Sequence, residues 1–194
     1  VRDEFTSSHV KVMKEDLGLS LSVHEEALAV ASLQSLEEAN AKLRYLRTKY
    51  EQKRKPLALL FIGDPGWLLC KPLFEDVWQD VPTIISMARD RMAPDISVML
   101  DKDETRLKSR LRPTGEVISS YNAVALTQPV FIKETVTLMK SLMPDMDRIT
   151  FISDQRYISL FTRIELKDTL DFYFPEIKLQ ELTSPQLNTQ DLLD

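Results

Sequence analysis

Two aspartates, each close behind an apolar run, are the residues of this sequence best suited to binding a ligand. Asp64 follows the run LALLFI after one glycine, and Asp154 directly follows RITFIS. An aromatic residue comes three positions after each aspartate, Trp67 in one half and Tyr157 in the other. A carboxylate beside a ring can bind an amine, a sugar hydroxyl or another ring. The same aspartates could instead cap the helices that follow, and the sequence leaves both roles open.

The sequence gives little support for nucleotide binding, zinc binding or acid–base catalysis. The chain has only four glycines, and neither G-x-G-x-x-G nor G-x-x-x-x-G-K-[ST] occurs, which disfavours dinucleotide and P-loop nucleotide sites. Cys70 is the only cysteine and there are two histidines, too few for a zinc site of Cys and His ligands. Acid–base catalysis by the two aspartates would need geometry and shifted pKa values that a sequence does not supply. We expect no catalytic residue, no metal and no cofactor, and hence no enzyme in this domain.

Composition narrows the class of protein further. The 194 residues carry a net charge of −5, and 43% of them are hydrophobic, which is typical of a globular chain. The acidic balance disfavours nucleic-acid binding, which normally needs a basic surface. No apolar run approaches the roughly 18–20 residues of a membrane-spanning helix.

Apolar runs alternate with amphipathic helical patterns, the order typical of an α/β fold with parallel sheets. We expect helices on both sheet faces and the runs at 57–62 and 148–153 to be the most buried. Ser35 and Glu38 form a capping-box pattern that opens a long helix, and ISVML at 96–100 is predicted to be a short strand. The predicted parallel strands lie near 19–23, 57–62, 82–86, 148–153 and 178–182. An N-terminal helix is predicted from the spacing of Phe5, His9, Val12 and Met13.

The segment around YNAVAL is predicted to be an extended crossover between two halves of the molecule. In open α/β sheets ligands bind outside the carboxyl ends of the strands, so the crossover and both strand ends are expected to meet at one cleft. The candidate ligand-binding residues are Asp64, Trp67, Tyr121, Asn122, Asp154 and Gln155.

Two stretches carry a family resemblance, KYEQKRKPLALLFIGDPGWLLCKPLFEDVWQDVPTII and, at 120–182, SYNAVALTQPVFIKETVTLMKSLMPDMDRITFISDQRYISLFTRIELKDTLDFYFPEIKLQEL. They resemble the type I periplasmic-binding-protein fold. More narrowly, they are similar to the extracytoplasmic sensor domains of two-component histidine kinases, which are allied to ABC-transporter substrate-binding proteins. The resemblance implies two Rossmann-like lobes with parallel sheets flanked by helices, here truncated at both ends. The implied domains are a first lobe at 1–120 without its first strand, a hinge at 121–130 and an incomplete second lobe at 131–194.

That missing first strand is expected to leave the strands at 19–23 and 57–62 with unpaired edges. The gap is expected to be filled by another segment of the chain, for which ISVML within residues 94–112 is the only internal candidate, by a neighbouring molecule or by upstream residues. The implied function is small-molecule sensing between the lobes, in the periplasmic part of a membrane-anchored histidine kinase. The implied partners are an unidentified small molecule and the parent kinase, with a homodimer as an option and no nucleic acid. The alternatives are a free solute-binding protein of an ABC transporter and a cytoplasmic flavodoxin-like or receiver-like regulator.

Overall fold

The computed structural model describes residues 11, 12, 15 and 16 and the stretch 22–183. Helices and strands alternate along this stretch, and small parallel sheets are flanked by helices, so the predicted α/β class is confirmed. The strands are β1 (Leu59–Ile62), β2 (Thr83–Ala88), β3 (Arg91–Met92), β4 (Arg112–Pro113), β5 (Ala123–Thr127), β6 (Arg148–Ser153) and β7 (Lys178–Thr183). The α-helices are α1 (Leu36–Glu51), α2 (Asp64–Cys70), α3 (Ile96–Met99), α4 (Glu104–Arg110), α5 (Thr114–Ile118), α6 (Ile132–Leu142) and α7 (Tyr157–Tyr173).

Three parallel strands form the first sheet, in the order β1-β2-β5. Leu59 lies opposite Thr83, and Thr83 lies opposite Ala123. The strands predicted at 57–62 and 82–86 are therefore confirmed as β1 and β2. The chain steps in one direction across this sheet, and crossovers between parallel strands are right-handed, so both connections lie on the same face. We call this sheet with helices α1–α5 the first unit.

The two faces of the first sheet have different environments. Phe61 points into the core and is 8% exposed. Leu60, Ile84 and Val124 are neighbours on the opposite face and are 39%, 43% and 56% exposed. Side chains alternate between the faces of a strand, and within the described residues this second face is left open. The predictions that 57–62 is among the most buried segments and that helices cover both faces are therefore wrong for this part of the chain.

The second sheet pairs β6 and β7 in parallel, from Arg148 opposite Lys178 to Ser153 opposite Thr183. The strands predicted at 148–153 and 178–182 are thus confirmed. No residue of β6 is fully buried, and Ile152 is 59% exposed, so the predicted deep burial of this strand is wrong. The reason is the same alternation, because helices pack on one face of a two-stranded sheet. We call β6, β7, α6 and α7 the second unit.

Helix α7 packs in the cores of both units. Its first half lies in the larger core of the first unit, and its second half lies in the small core of the second unit. The residues of α7 in the larger core are Tyr157, Leu160, Phe161 and Ile164. The buried residues of the small core are Val136, Leu166, Leu170 and Ile177. The helix therefore holds the second unit against the first.

An ion-pair network reinforces this connection. Arg163 of α7 is paired with Glu104 of α4 at 2.6 Å and with Glu181 of β7 at 3.2 Å. Lys167, one turn further along α7, is paired with the same two carboxylates at 2.9 and 2.7 Å. The network therefore ties a helix of the first unit to a helix and a strand of the second.

Local capping decides two helix starts. Ser35 Oγ accepts a hydrogen bond from the backbone N–H of Glu38 at 3.2 Å, which confirms the predicted start of α1. The Glu38 carboxylate accepts a bond from the backbone N–H of Gln34 instead of Ser35, a variation on the predicted capping box. The prediction of a strand at 96–100 is wrong, because Asp95 accepts two backbone N–H bonds and starts helix α3 there. That segment therefore does not pair with β1.

Some predictions fall wholly or partly outside the described residues. These are the strand at 19–23, of which only Ser22 and Val23 are described and have no strand assignment, and most of the N-terminal helix. Among the strands that are described, β1 pairs with β2 alone, so its second edge has no partner there. No helix in the same residues has the length and apolar character to cross a membrane.

Candidate functional site

A buried polar cluster joins the loop after β1 to the start of α7. The hydroxyl of Tyr157 donates a hydrogen bond to Asp64 Oδ2 at 3.1 Å, and the backbone N–H of Ala93 donates to the Tyr157 hydroxyl oxygen at 3.0 Å. Asp64 is 2% exposed and Tyr157 is 6% exposed. Arg89, Phe161 and Glu165 lie beside them. We call the following residues the junction: Asp64, Arg89, Ala93, Tyr157, Phe161 and Glu165.

Local backbone geometry brings Asp64 to this place. Gly63, which directly follows β1, has φ +83°, a conformation that L side chains rarely adopt. Asp64 is the first residue of α2, and Pro65 follows in the first turn, where its fixed φ suits a helix. The sequence Gly-Asp-Pro thus turns the chain sharply and leaves a carboxylate at the carboxyl end of a parallel strand, the position where ligands bind in open α/β sheets.

Arg89 enters the junction from the end of β2. The pairing of β2 with β5 is irregular between Ser86 and Ala88, and Met87 between them has φ 56°. Irregularities of this kind redirect the side chains that follow and are frequent beside binding sites. The Arg89 guanidinium carbon lies 4.4 Å from the centre of the Phe161 ring, which fits a cation–π contact.

Two buried polar atoms of the junction lack hydrogen-bond partners. Arg89 Nη1 lies 4.0 Å from Glu165 Oε2, an ion pair that is too long to be a hydrogen bond. Both atoms are buried and have no hydrogen-bond partner. Most buried polar atoms in proteins are hydrogen-bonded, so these two atoms together mark a place where a small polar group would gain contacts.

Burial shifts the ionisation of the junction acids. Burial raises the pKa of Asp64, although the Arg89 charge and the Tyr157 hydrogen bond oppose the shift. Burial also raises the pKa of Glu165, against the charge of Arg89. Burial and the neighbouring Asp64 hold the pKa of Tyr157 well above its usual value, so its hydroxyl keeps its proton and acts as a donor. Buried acids with shifted pKa values are common at functional sites.

Asp154 and Gln155 precede Tyr157, the first residue of α7, in the chain. Asp154 Oδ1 accepts hydrogen bonds from the backbone N–H of Arg156 at 2.9 Å and from the Ser159 hydroxyl at 2.7 Å. Partial burial raises the pKa of Asp154. These hydrogen bonds and the Arg156 charge outweigh that effect, so the pKa of Asp154 is lowered overall. Asp154 therefore orders the residues just before α7, but the prediction that it caps the helix is wrong, because the N-cap residue is Arg156 and no side-chain cap bond is made there. The carbonyl oxygen of Gln155 accepts a hydrogen bond from Lys102 at 3.2 Å, which again links the two units.

Trp67 and Tyr121 lie in the aromatic core of the first unit. Trp67 is 0% exposed, and its ring centre is 4.7 Å from that of Phe74 and 5.1 Å from that of Tyr121. Tyr121 is half-buried, and Lys71 lies over its ring at 5.5 Å. In this arrangement Trp67 has no free surface for a ligand, and both rings hold α2 against the sheet.

Asn122 lies at the opposite edge of the first sheet. It directly precedes β5, and its side-chain amide donates a hydrogen bond to the carbonyl oxygen of Asp80, which precedes β2. Asn122 is therefore at the amino ends of the strands, whereas Asp64 is at a carboxyl end, a strand length of roughly 13–16 Å away. The segment predicted as a crossover contains β5 itself, and for this reason the structure does not bring Asn122 to the junction.

Two surface cavities lie away from these residues. One, of about 340 Å³, is lined mainly by the end of α1 and the segment before β1, including Tyr50, Lys53 and Lys55. The other, of about 360 Å³, is lined by α6, including Lys133 and Leu138. None of the six predicted site residues lines either cavity.

The six candidate residues do not include Tyr157, and no sequence pattern indicates Arg89, Phe161 or Glu165. The repeated spacing of an aspartate and an aromatic ring three residues later did point to Tyr157. Arg89 and Glu165 are brought together by long-range packing of α7 on the end of β2, and no local pattern indicates that contact. Cys70 is 0% exposed, and burial raises its pKa to about 12.

Among the residues that are described, no group of three or more His, Cys, Asp or Glu side chains is placed to hold a metal ion. Comparisons with protein-family models, with curated proteins and with solved structures found no match. The proposal below therefore depends on the sequence pattern and on the geometry of the junction.

Proposed function

We propose that this chain is a small-molecule-sensing module of the periplasmic-binding-protein kind, in the extracytoplasmic part of a membrane-anchored two-component histidine kinase. The observation that carries the proposal is the buried hydrogen bond between Tyr157 and Asp64. It lies where the carboxyl end of a parallel strand in the first unit meets the first residue of α7 in the second. In this proposal the two units are the lobes, and the ligand binds at the junction between them.

The chemistry of the junction defines the ligand class. A ligand hydroxyl or amine could replace the Tyr157 hydroxyl as the donor to Asp64. Arg89 and Glu165, whose facing atoms are buried without hydrogen-bond partners, offer a donor and an acceptor to the same molecule. A small polar compound with several hydroxyl or amino groups, such as a sugar or an amino compound, fits this set.

Signalling would follow from the position of α7. Loss of the Tyr157–Asp64 bond frees the first turn of α7, and the same helix continues into the core of the second unit. A ligand that binds the released state more tightly shifts the equilibrium toward it by its difference in affinity. Movement of α7 would carry β6 and β7 with it, a displacement that a kinase could detect.

Two alternatives use the same junction differently. A free solute-binding protein would deliver its ligand to a transporter and would have no kinase partner. A cytoplasmic flavodoxin-like or receiver-like regulator would not need a solute site between units. The first alternative shares the ligand test below, whereas the second predicts that no solute binds. The partners proposed are the solute and the parent kinase, with a homodimer as an option and without nucleic acid.

The test is a thermal-shift screen of the full chain against sugars, amino acids, polyamines and nucleosides. A binding solute at about a hundred times its Kd should stabilise the fold by about 2.7 kcal/mol. For a chain of this size that corresponds to about 5–10 °C in Tm. Asp64→Asn, which keeps an acceptor oxygen but loses the carboxylate, should reduce the shift, and Asp168→Asn, an exposed aspartate on α7, should preserve it. A panel with no shift, or a shift that Asp64→Asn leaves unchanged, would contradict the proposal.

A further inference from the structure

A run of basic side chains lies at the end of α1 and in the segment before β1. Lys53, Arg54 and Lys55 follow one another there and are exposed, although the chain as a whole carries a net charge of −5. Beside this run lies the surface cavity of about 340 Å³, which we call the basic cavity. Its lining includes Tyr50, Glu51, Lys53, Lys55, Asp76 and Val77. Cations that line a cavity raise the local concentration of anionic ligands.

Two contacts hold the lysine ammonium groups at the basic cavity. Lys55 Nζ donates a hydrogen bond to the backbone carbonyl oxygen of Gln79. Lys53 Nζ lies 5.5 Å from the centre of the Tyr50 ring, which fits a cation–π contact. An ammonium group has three N–H donors, so Lys55 keeps donors for another acceptor. Both cations are therefore positioned in advance, and a ligand that binds them loses less affinity to the ordering of side chains.

The acidic side chains of the lining do not cancel these positive charges. Asp76 Oδ2 lies 3.0 Å from Arg47 Nη2, and Asp76 Oδ1 accepts a hydrogen bond from the backbone N–H of Val77. The Asp76 charge is thus balanced by Arg47, which leaves Glu51 against the two lysines. The carboxyl end of α1 adds the equivalent of about half a negative charge. With Arg54 alongside, the cations exceed these negative charges, so the electrostatics of the basic cavity favour an anion.

The basic cavity also has an apolar wall and room for more than an inorganic ion. The Tyr50 hydroxyl donates a hydrogen bond to Glu26 Oε1 at 2.7 Å, and the Tyr50 ring packs against buried Trp78 with ring centres 5.3 Å apart. Tyr50 is thus held in place, and with half-buried Val77 it gives the lining apolar surface. A water molecule occupies about 30 Å³ in the liquid, so the cavity corresponds to about eleven waters. That space exceeds the size of a phosphate group alone.

We propose that the basic cavity binds a small phosphate monoester. Its phosphate lies at Lys53 and Lys55, and its organic group lies against Tyr50 and Val77. Such a phosphate carries a charge of about −1.5 to −2 at pH 7 and has three strong acceptor oxygens. Lysine binds phosphate as a point charge, so two ammonium groups suit a dianion. The lining of the basic cavity contains none of the junction residues, so this proposal is independent of solute binding at the junction.

Isothermal titration calorimetry of the full chain with phenyl phosphate at pH 7 tests this site. We expect phenyl phosphate to bind at least threefold more tightly than inorganic phosphate, which lacks the organic group, and phenol to give no measurable binding. Lys53→Gln combined with Lys55→Gln should weaken binding at least tenfold, because both ammonium groups are lost. Arg148→Gln combined with Lys178→Gln, at exposed positions on β6 and β7, removes the same charge elsewhere and should leave Kd unchanged. Glu51→Gln should tighten binding about threefold, because it removes a negative charge beside the phosphate.

Four outcomes would overturn the proposal. These are no binding of phenyl phosphate at millimolar concentration, equal affinity for phenol, an unchanged Kd in the double lysine variant, or weaker binding by Glu51→Gln. A second measurement uses the native chain alone and does not depend on how the variants fold. Raising NaCl from about 0.05 M to about 0.5 M should weaken the binding of phenyl phosphate at least threefold, because salt screens exposed charges. Binding that does not change with salt would show that the lysines do not hold the ligand and would also overturn the proposal.

Discussion

The two units of this molecule bury their parallel sheets to very different extents. The first sheet rests on a large core with a cluster of aromatic rings, whereas the second rests on a core with four buried residues. A two-stranded sheet with so little core is not expected to be stable alone. The second unit is therefore held mainly by α7, whose first half lies in the larger core. The difference suggests that stability resides in the first unit and that coupling between the units runs through one helix.

The aromatic core should account for the largest single effect. Trp67→Ala removes a side chain that is 0% exposed and contacts the rings of Phe74 and Tyr121. We expect a loss of about 3–5 kcal/mol in the free energy of unfolding, measured by urea denaturation. Leu57→Ala, at a position that is 72% exposed, should change it by less than about 0.5 kcal/mol. A loss below about 1 kcal/mol for Trp67→Ala would mean that the first unit is not the stable part.

The ion-pair network should come next. Arg163→Met removes the partner of Glu104 and Glu181 and leaves both carboxylates to Lys167. We expect a loss of about 2–3 kcal/mol, below the usual cost for a fully buried pair, because the partner side chains remain partly exposed. Hydrogen exchange should accelerate in β7 more than in β2, since β7 belongs to the weaker unit.

The matched control for this variant is Lys108→Met. Lys108 pairs with Asp168, and both side chains are about half exposed, so its loss should cost less than about 1 kcal/mol. Equal costs for the two variants, or equal acceleration of exchange in β2 and β7, would contradict the idea that the network specifically holds the second unit.

The elements of this fold could largely be predicted from sequence, but their environments could not. β2, β6 and β7 follow from apolar runs that end at turn residues, and the start of α1 follows from Ser35. The exposure of Leu60 could not be predicted, because an apolar run does not reveal which sheet face lacks a cover. Segment 96–100 resembles a strand by composition. It forms a helix because the Asp95 carboxylate accepts hydrogen bonds from the backbone N–H groups of its first turn.

The candidate site was also only partly predictable, because its contacts depend on packing between distant parts of the chain. Asp64 was predictable, since it follows an apolar run that ends in Gly-Asp-Pro. Its partner Tyr157 is 93 residues further along the chain, and the bond between them depends on how α7 packs. Asn122 is a candidate site residue only because its segment is predicted to be a crossover. In fact that segment enters the first sheet as β5, which places Asn122 at the opposite edge.

The hydrogen bond at the junction should have a smaller effect on stability. Tyr157→Phe keeps the ring but leaves Asp64 and the N–H of Ala93 without this partner. We expect a loss of about 1–2 kcal/mol, the cost of leaving buried polar groups unsatisfied. Tyr173→Phe, at an exposed position on the same helix, should be neutral. Urea denaturation followed by tryptophan fluorescence would measure both, and a neutral Tyr157→Phe would mean that the junction does not hold α7.

The smallest change, and one of opposite sign, is expected at Asp64. Its pKa is raised by burial in the folded state, so between the unfolded pKa and the folded pKa the folded protein binds more protons than the unfolded one. Stability contributed at this site is therefore highest at low pH and falls as pH rises through the folded pKa.

Asp64→Asn cannot ionise and still accepts a hydrogen bond from Tyr157. It should consequently be slightly more stable than the native chain at pH 7, with a weaker decline between pH 4 and pH 7. Urea midpoints at pH 4, 5, 6 and 7 would measure this, with Asp168→Asn as the control for loss of a surface charge. The opposite result would be an Asp64→Asn variant that is less stable than the native chain at pH 7 and whose urea midpoint falls as steeply with pH. In that case ionised Asp64 contributes to stability. The junction would then be a structural ion pair with Arg89 and not a buried acid available to a ligand.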